Sequence, residues 1–137
     1  MKKFVVDASF TLKSLLNEKK SVSIRFRKLF KEAESGKVKV LAPRFIFSEV
    51  ANAIRYSTKD SEEALGTFND FLVLPIEFID LDEVDYRKTI EISYSQNTTV
   101  YDTSYHVLAK AHNATFLTCD YEYYKKAKVL GDIELVK

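Results

Sequence analysis

The sequence has no tryptophan, one cysteine, two prolines, three glycines and two histidines among its 137 residues. A lone Cys119 makes no disulfide within the chain, and with only His106 and His112 to join it the usual structural zinc sites are excluded. Any metal would have to sit on oxygen. The few glycines and prolines are scattered as punctuation, with no linker, repeat or low-complexity tract, so residues 1–137 read as one domain able to bury its own core. Apolar runs stop at four or five residues, and MKKFVVDASF reaches an acid before a signal peptide or membrane span could form. The expectation is a cytoplasmic chain with no membrane contact.

What the chain does hold is charge, unevenly spread. The net value of +1 conceals a basic stretch, residues 19–39, with eight Lys/Arg against two Glu, and an acidic one, residues 60–91, with ten acids against two bases. The basic stretch is suited to a polyanion, and Arg25, Arg27 and Lys28 are its candidates for contact with a nucleic-acid backbone. A solvated helix face is the competing reading of the same residues.

Short β-branched or apolar runs at 3–7, 38–42, 75–79, 114–118 and 132–136 alternate with stretches of helical period. Asp7-Ala-Ser opens the first helix. A second spans 21–35 and stops at Gly36, Pro43 suits the first turn of a third before FIFSEVANAIRY, and Asp60 starts a fourth running to about Leu72. Asp82 opens a helix through about Gln96 and Asp102 one through about His112. Strands of full burial alternating with helices predict an α/β fold with a mostly parallel sheet of about five strands covered on both faces. In such sheets ligands bind beyond the carboxyl ends of the strands, where strand order reverses.

That rule singles out four acids. Asp7 ends the first strand, Asp120 follows the strand ATFLTC, and Asp102 stands at a helix start after the polar run QNTTVY. Glu49 falls on the apolar arc of its helix, between Phe45 and Ala53, and so points inward. Each aspartate alone is better explained as a helix N-cap, and Glu49 equally fits a salt bridge to Arg25, Arg44 or Arg55. Taken together, four carboxylates at one edge would repel one another unless a cation is held there, and oxygen-only ligation suits Mg²⁺ or Mn²⁺. Such a centre binds phosphate and activates water.

VVDAS with Asp7, SEVANAI with Glu49 and Asn52, and TVYDTSYHVLAKAHNATFLTCD with Asp102 and Asp120 resemble, in order and spacing, the motifs of the PIN domains, most closely the small VapC-type toxin ribonucleases. The resemblance covers nearly the whole chain. It implies a three-layer α/β/α fold and a metal-dependent endoribonuclease that hydrolyses RNA to 5′-phosphate and 3′-hydroxyl ends. It further implies Mg²⁺ or Mn²⁺ as cofactor, a homodimer and an antitoxin partner. Asp7, Glu49 and Asp102 match the core acidic triad, and Asp120 the fourth acid. Ser9 and Asn52 match supporting positions, the first for a metal-bound water and the second for a hydrogen bond to a carboxylate. Thr118 stands where a hydroxyl is frequent, although a β-branched strand residue explains it as well. Departures from the pattern are Cys119 before Asp120 and Tyr121-Glu122 after it.

His106 and Lys110, one and two turns beyond Asp102, either face substrate phosphate or are exposed. Tyr121, Tyr123 and Tyr124 cluster beside Asp120 as candidates for base stacking, whereas Phe26, Phe30, Phe45, Phe68, Phe71 and Phe78 fit burial patterns. Other readings remain open: a PIN-like module that binds RNA or protein without cutting, and a phospho-acceptor domain using Asp80. A glycine-rich nucleotide fold is disfavoured, because Asp-Ala-Ser-Phe is no glycine-rich turn.

Overall fold

A computed structural model describes residues 1–137. The strands are β1 (Lys2–Val6), β2 (Val38–Ala42), β3 (Glu77–Phe78), β4 (Thr115–Thr118) and β5 (Ile133–Leu135). The helices are α1 (Ala8–Leu15), α2 (Lys20–Glu34), α3 (Ile46–Ser57), α4 (Ser61–Leu72), α5 (Glu83–Gln96), α6 (Val100–Ala111) and α7 (Tyr121–Ala127), the last extended by a 3₁₀ turn over Lys128–Leu130.

The sheet order is β3-β2-β1-β4-β5, and all four pairings are parallel. The expectation of a mostly parallel sheet therefore stands, with no antiparallel member. Strand order reverses between β1 and β4, whose register pairs Val6 with Leu117 and leaves Asp7 and Thr118 side by side at the carboxyl edge. Right-handed crossovers require α1–α4 on one face and α5–α7 on the other. The packing agrees: α1 meets α2, α3 and α4, whereas α6 meets α5, β1 and β4. The core between these layers includes Val5, Val6, Phe10, Leu29, Ile46, Leu108, Phe116 and Leu117, all nearly or fully buried.

Scarcity of glycine is met by asparagine. Asn17, Asn97 and Asn113, with Asp132, adopt positive φ at 53–55° and close turns that glycine usually closes. Gly36 does the same after α2, with φ 77°.

Three boundaries differ from the sequence reading. Pro43 precedes α3 instead of lying in its first turn, because Ile46, Phe47 and Ser48 donate to the carbonyls three residues back and form a tight turn first. Glu49 consequently lies in the first turn of α3. Helix α6 begins at Val100, capped by Thr99, whose hydroxyl accepts from the Asp102 backbone N–H at 3.1 Å; Asp102 does not open it. Strand β3 shrinks to Glu77–Phe78, since it is an edge strand with a single neighbour and Pro75 cannot donate to the ladder. The other helix limits fall within two residues of expectation.

Candidate active site

Strands β1 and β4 end, and α1, α3, α6 and α7 begin, at the same edge of the sheet. Each brings one piece of an acidic pocket. Asp7 leaves the buried run Phe4–Val6 and is itself only 7% exposed. Its Oδ1 accepts from the Phe10 backbone N–H at 2.9 Å and from the Ser9 hydroxyl at 2.8 Å, and its Oδ2 accepts from the Thr118 hydroxyl at 2.6 Å. Burial outweighs these donors and pushes the Asp7 carboxyl up to about 6, with the Asp102 charge adding to the rise.

Thr118 is fully buried and ties the two strand ends together. While donating to Asp7 it accepts from the Asp120 backbone N–H at 3.0 Å, so its hydroxyl is a connector and not a bystander of strand propensity. Ser9 accepts from the Cys119 backbone N–H at 3.3 Å. Asp120 caps α7 through Oδ1, which accepts from the Tyr123 backbone N–H at 3.0 Å.

Glu49 finds none of the three arginines. Its Oε1 accepts from the Tyr105 hydroxyl at 2.5 Å, while Arg25 pairs with Glu134 and Arg44 with Asp80. Burial raises the Glu49 carboxyl above the usual range, the Tyr105 bond opposes that, and the Asp102 charge reinforces it. Asp102 is likewise raised by burial, lowered by the Thr99 hydroxyl and raised by the Asp120 charge. Asp102 thus feels Asp120 and is felt by both Asp7 and Glu49, which makes the four acids one electrostatic unit.

Tyr105 is the residue that sequence reasoning missed. It is 2% exposed, stacks on Phe116 at 5.9 Å and meets the edge of Phe45 at 5.0 Å, with its hydroxyl carried up to Glu49. A tyrosine one turn after Asp102 on the buried face of α6 needs a polar partner at its tip, and that was the available signal.

Other expected residues are not gathered at this edge. Asn52 is exposed on α3 with no side-chain hydrogen bond to Glu49. Arg25 lies over the Phe4 ring in a cleft with Lys2, Lys3 and Asn113, at the amino-terminal ends of β1 and β4. Arg27 and Lys28 are exposed on α2. Among the lysines, Lys13 and Lys19 are the ones whose charge reaches Cys119, beside Asp120.

His106 is neither exposed nor turned to the acids. It is buried, with Nε2 2.7 Å from the Gly131 carbonyl and Nδ1 2.8 Å from the Tyr123 hydroxyl, because Gly131 and Tyr123 pack over α6. The carbonyl can only accept, so Nε2 carries the proton and Nδ1 accepts from Tyr123. Tyr123 is therefore core and unavailable for stacking, and Lys110 is occupied by Asp132 and the Leu130 carbonyl. Burial, chiefly, pushes the Cys119 thiol up to about 11, so it is protonated at neutral pH. Asp80 at the end of β3 is neutralised by Arg44 at 2.7 Å.

No three of the His, Cys, Asp and Glu side chains stand close enough to enclose a metal unaided. The donor set nevertheless fits Mg²⁺ or Mn²⁺. Mg²⁺ takes one or two carboxylates directly and keeps several waters, so a wider acidic pocket suits it better than a tight protein cage. Glu49 Oε2 and Asp120 Oδ2 accept no hydrogen bond within the protein and are free to ligate. An apolar groove of about 590 Å³ between α3 and α4, lined by Ile54, Ala64, Leu65 and Phe68, is separate from this chemistry.

Comparison with known proteins agrees with the fold. The family model of the PIN domain matches residues 4–129. No curated protein sequence matches the chain. The chain is similar in fold to VapBC2 from Rickettsia felis, whose crystal structure was solved bound to a DNA fragment from their promoter, with 15% identity, 98% of this chain and 99% of that chain covered and a TM-score of 0.72. It is also similar to PAE2754 from Pyrobaculum aerophilum, with 20% identity over 91% of this chain and 86% of that one and a TM-score of 0.58.

Proposed function

Because the chain belongs to the PIN-domain family, we propose that it is a metal-dependent endoribonuclease, a single nuclease domain that hydrolyses RNA phosphodiester bonds with water. The observation that carries this reading is the coupling of Asp7, Glu49, Asp102 and Asp120 through Asp102 at the point where strand order reverses. Those four acids would hold Mg²⁺ or Mn²⁺, which when bound supplies the positive charge that admits a phosphodiester and favours ionisation of water. The chain's own part is orientation. Ser9, Thr118 and the Phe10 backbone N–H fix both oxygens of Asp7, and Tyr105 fixes Glu49. Asn52 and the basic residues Arg25, Arg27 and Lys28 are reserved for contacts outside the pocket, with RNA or with a partner.

The same reading makes the protein the toxin of a VapBC-type pair, cytoplasmic, homodimeric and held by an antitoxin. The likeness of fold to VapBC2 supports this. So do two apolar surfaces left without a partner: the α3–α4 groove, and the exposed stripe Tyr86, Ile90 and Tyr94 along α5. No helix is long and apolar enough to cross a membrane.

The alternative, a PIN-like module that binds RNA or protein without cutting, draws on the spacing of the acids, no three of which enclose a metal. One experiment decides. The purified protein is incubated with single-stranded RNA and Mn²⁺ or Mg²⁺, with and without EDTA, beside Asp102→Asn. Cleavage that vanishes in EDTA and in the variant, with the variant's Tm intact, is the expected result. Equal cleavage by the variant refutes the site, and RNA binding without cleavage by the wild type establishes the alternative.

A further inference from the structure

Helix α7 carries more than the cap at Asp120. Tyr121, Tyr124, Lys125 and Lys128 recur at the i, i+3, i+4, i+7 spacing that places side chains on one face. That face borders β5, an edge strand paired only with β4, and between them runs a groove of about 630 Å³ lined by these residues with Leu135 and Lys137. The groove starts beside Asp120 and extends along the helix for ~10 Å, at 1.5 Å per residue.

Its chemistry is aromatic and cationic. Tyr121 is 56% exposed, and the Lys125 ammonium lies 5.2 Å from the centroid of its ring. Lys128 and Lys137 have no acidic partner within salt-bridge distance, and Lys125 meets Glu122 at 3.2 Å on the exposed surface. Glu134, the one acid lining the groove, is neutralised by Arg25 at 3.2 Å. Ring faces alternating with ammonium groups are what a single-stranded nucleic acid uses, bases stacking on the rings and phosphates meeting the lysines. A peptide adding a strand to the β5 edge is the competing occupant. Strand β5 is only three residues long, which leaves too few free backbone groups to hold one.

We infer that the α7–β5 groove is the arm along which single-stranded RNA leaves the acidic pocket, stacked on Tyr121 and Tyr124 and anchored by Lys125, Lys128 and Lys137. The inference rests on the nuclease reading for its substrate but not for its test, which measures binding. Affinity for a fluorescent 12-nucleotide single-stranded RNA is measured without metal over a range of salt. The proteins compared are the Asp102→Asn chain and the same chain carrying Lys125→Gln with Lys128→Gln, or Tyr121→Ala.

The lysine pair is expected to lower the log–log salt slope by about 1.4, at about 0.7 per phosphate released. Tyr121→Ala is expected to weaken binding roughly tenfold with the slope unchanged, the mark of a lost stacking contact. Tyr121→Phe, which keeps the ring, restores it. Unchanged affinity and slope in the lysine pair and in Tyr121→Ala overturn the inference. So does a loss of binding to the protein partner in those variants with RNA affinity intact, which would assign the edge to a peptide. If the wild type fails to cleave while these variants lose RNA as expected, the groove stands and the nuclease reading falls.

Discussion

Tyr105→Phe removes one oxygen from the centre of the candidate site and leaves its packing in place. The ring keeps its stack on Phe116 and its edge contact with Phe45. What is lost is the 2.5 Å hydrogen bond to Glu49 Oε1. A hydrogen bond to a charged group contributes about 1.5–3 kcal/mol where water is excluded. Glu49 is only partly buried, so water replaces part of the bond and ~1 kcal/mol is the expected loss of folding stability, or a Tm lower by about 3–5 °C. Metal affinity should suffer more than stability. A freed Glu49 must be oriented anew when the cation arrives, and its carboxyl rises further once the one donor opposing burial is gone. Loss of such a supporting hydrogen bond weakens metal binding by about 10–100-fold, and the partial exposure of Glu49 places this case near tenfold. Titration calorimetry with Mn²⁺ at pH 7.5, set beside thermal melts of the metal-free proteins, measures both quantities. A Tm that falls with Mn²⁺ affinity unchanged would show that the hydroxyl serves only the core and that Glu49 is no ligand.

Asp7→Asn should fold and should abolish one pH trend. The folded Asp7 carboxyl at about 6 against 3.8 for an ordinary one means that the folded state binds the extra proton between those values. Stability of the metal-free wild type should therefore fall as pH rises from about 4 to 6.5, by up to ~3 kcal/mol from this group, and stay low above that range. In Asp7→Asn this fall should be absent, so at pH 8 the metal-free variant should melt higher than the wild type while losing stabilisation by Mn²⁺; melts of both proteins from pH 4 to 8 check it, and parallel curves would contradict it. Cys119→Ala should leave Mn²⁺ affinity and cleavage unchanged within twofold, because a thiol near 11 stays protonated at working pH. A tenfold loss of Mn²⁺ affinity in a folded Cys119→Ala would mean that sulfur ligates.

Much of this architecture was legible from local signals. The strand Val38–Ala42 and the helix Ser61–Leu72 lie where the hydrophobic period and the Asp60 cap put them, and the Asn97 turn ends α5 next to the expected Gln96. Asp7 and Asp120 could be assigned to one edge because a parallel sheet puts all its carboxyl ends there. Contacts that join distant segments were not legible. The Tyr105–Glu49 bond spans 56 residues and the Thr118–Asp7 bond 111, and no period or spacing reports such pairs. His106 misled for a related reason. A histidine one turn after an acid reads as a surface group until Gly131 and Tyr123, 25 and 17 residues away, are known to close over it. Charge along the sequence does not report where side chains meet. The basic run identified α2 as cationic, yet Arg25 bends back to Glu134, and the lysines facing the α7–β5 groove come from a segment with no marked excess.

The sequence reading set the helix cap and the functional acid against each other as rival explanations of the aspartates. At Asp7 and Asp120 the two are compatible. In each, Oδ1 accepts from the backbone N–H three residues on, which satisfies a donor that the helix leaves open. That bond also fixes the plane of the carboxylate and directs Oδ2 toward the pocket. At Asp120 Oδ2 is left without a donor, and at Asp7 it meets only the Thr118 hydroxyl. A carboxylate on a free side chain would lose rotamer freedom on binding a cation, whereas these have lost it on folding. The cap also answers the repulsion among the acids. Helices α1, α3 and α6 begin at this edge, and the positive ends of their dipoles offset part of the crowded negative charge before any cation is bound. The offset is incomplete. Asp7, Glu49 and Asp102 all remain raised, chiefly by burial and further by the charge of a neighbouring acid, and a divalent cation would relieve both costs.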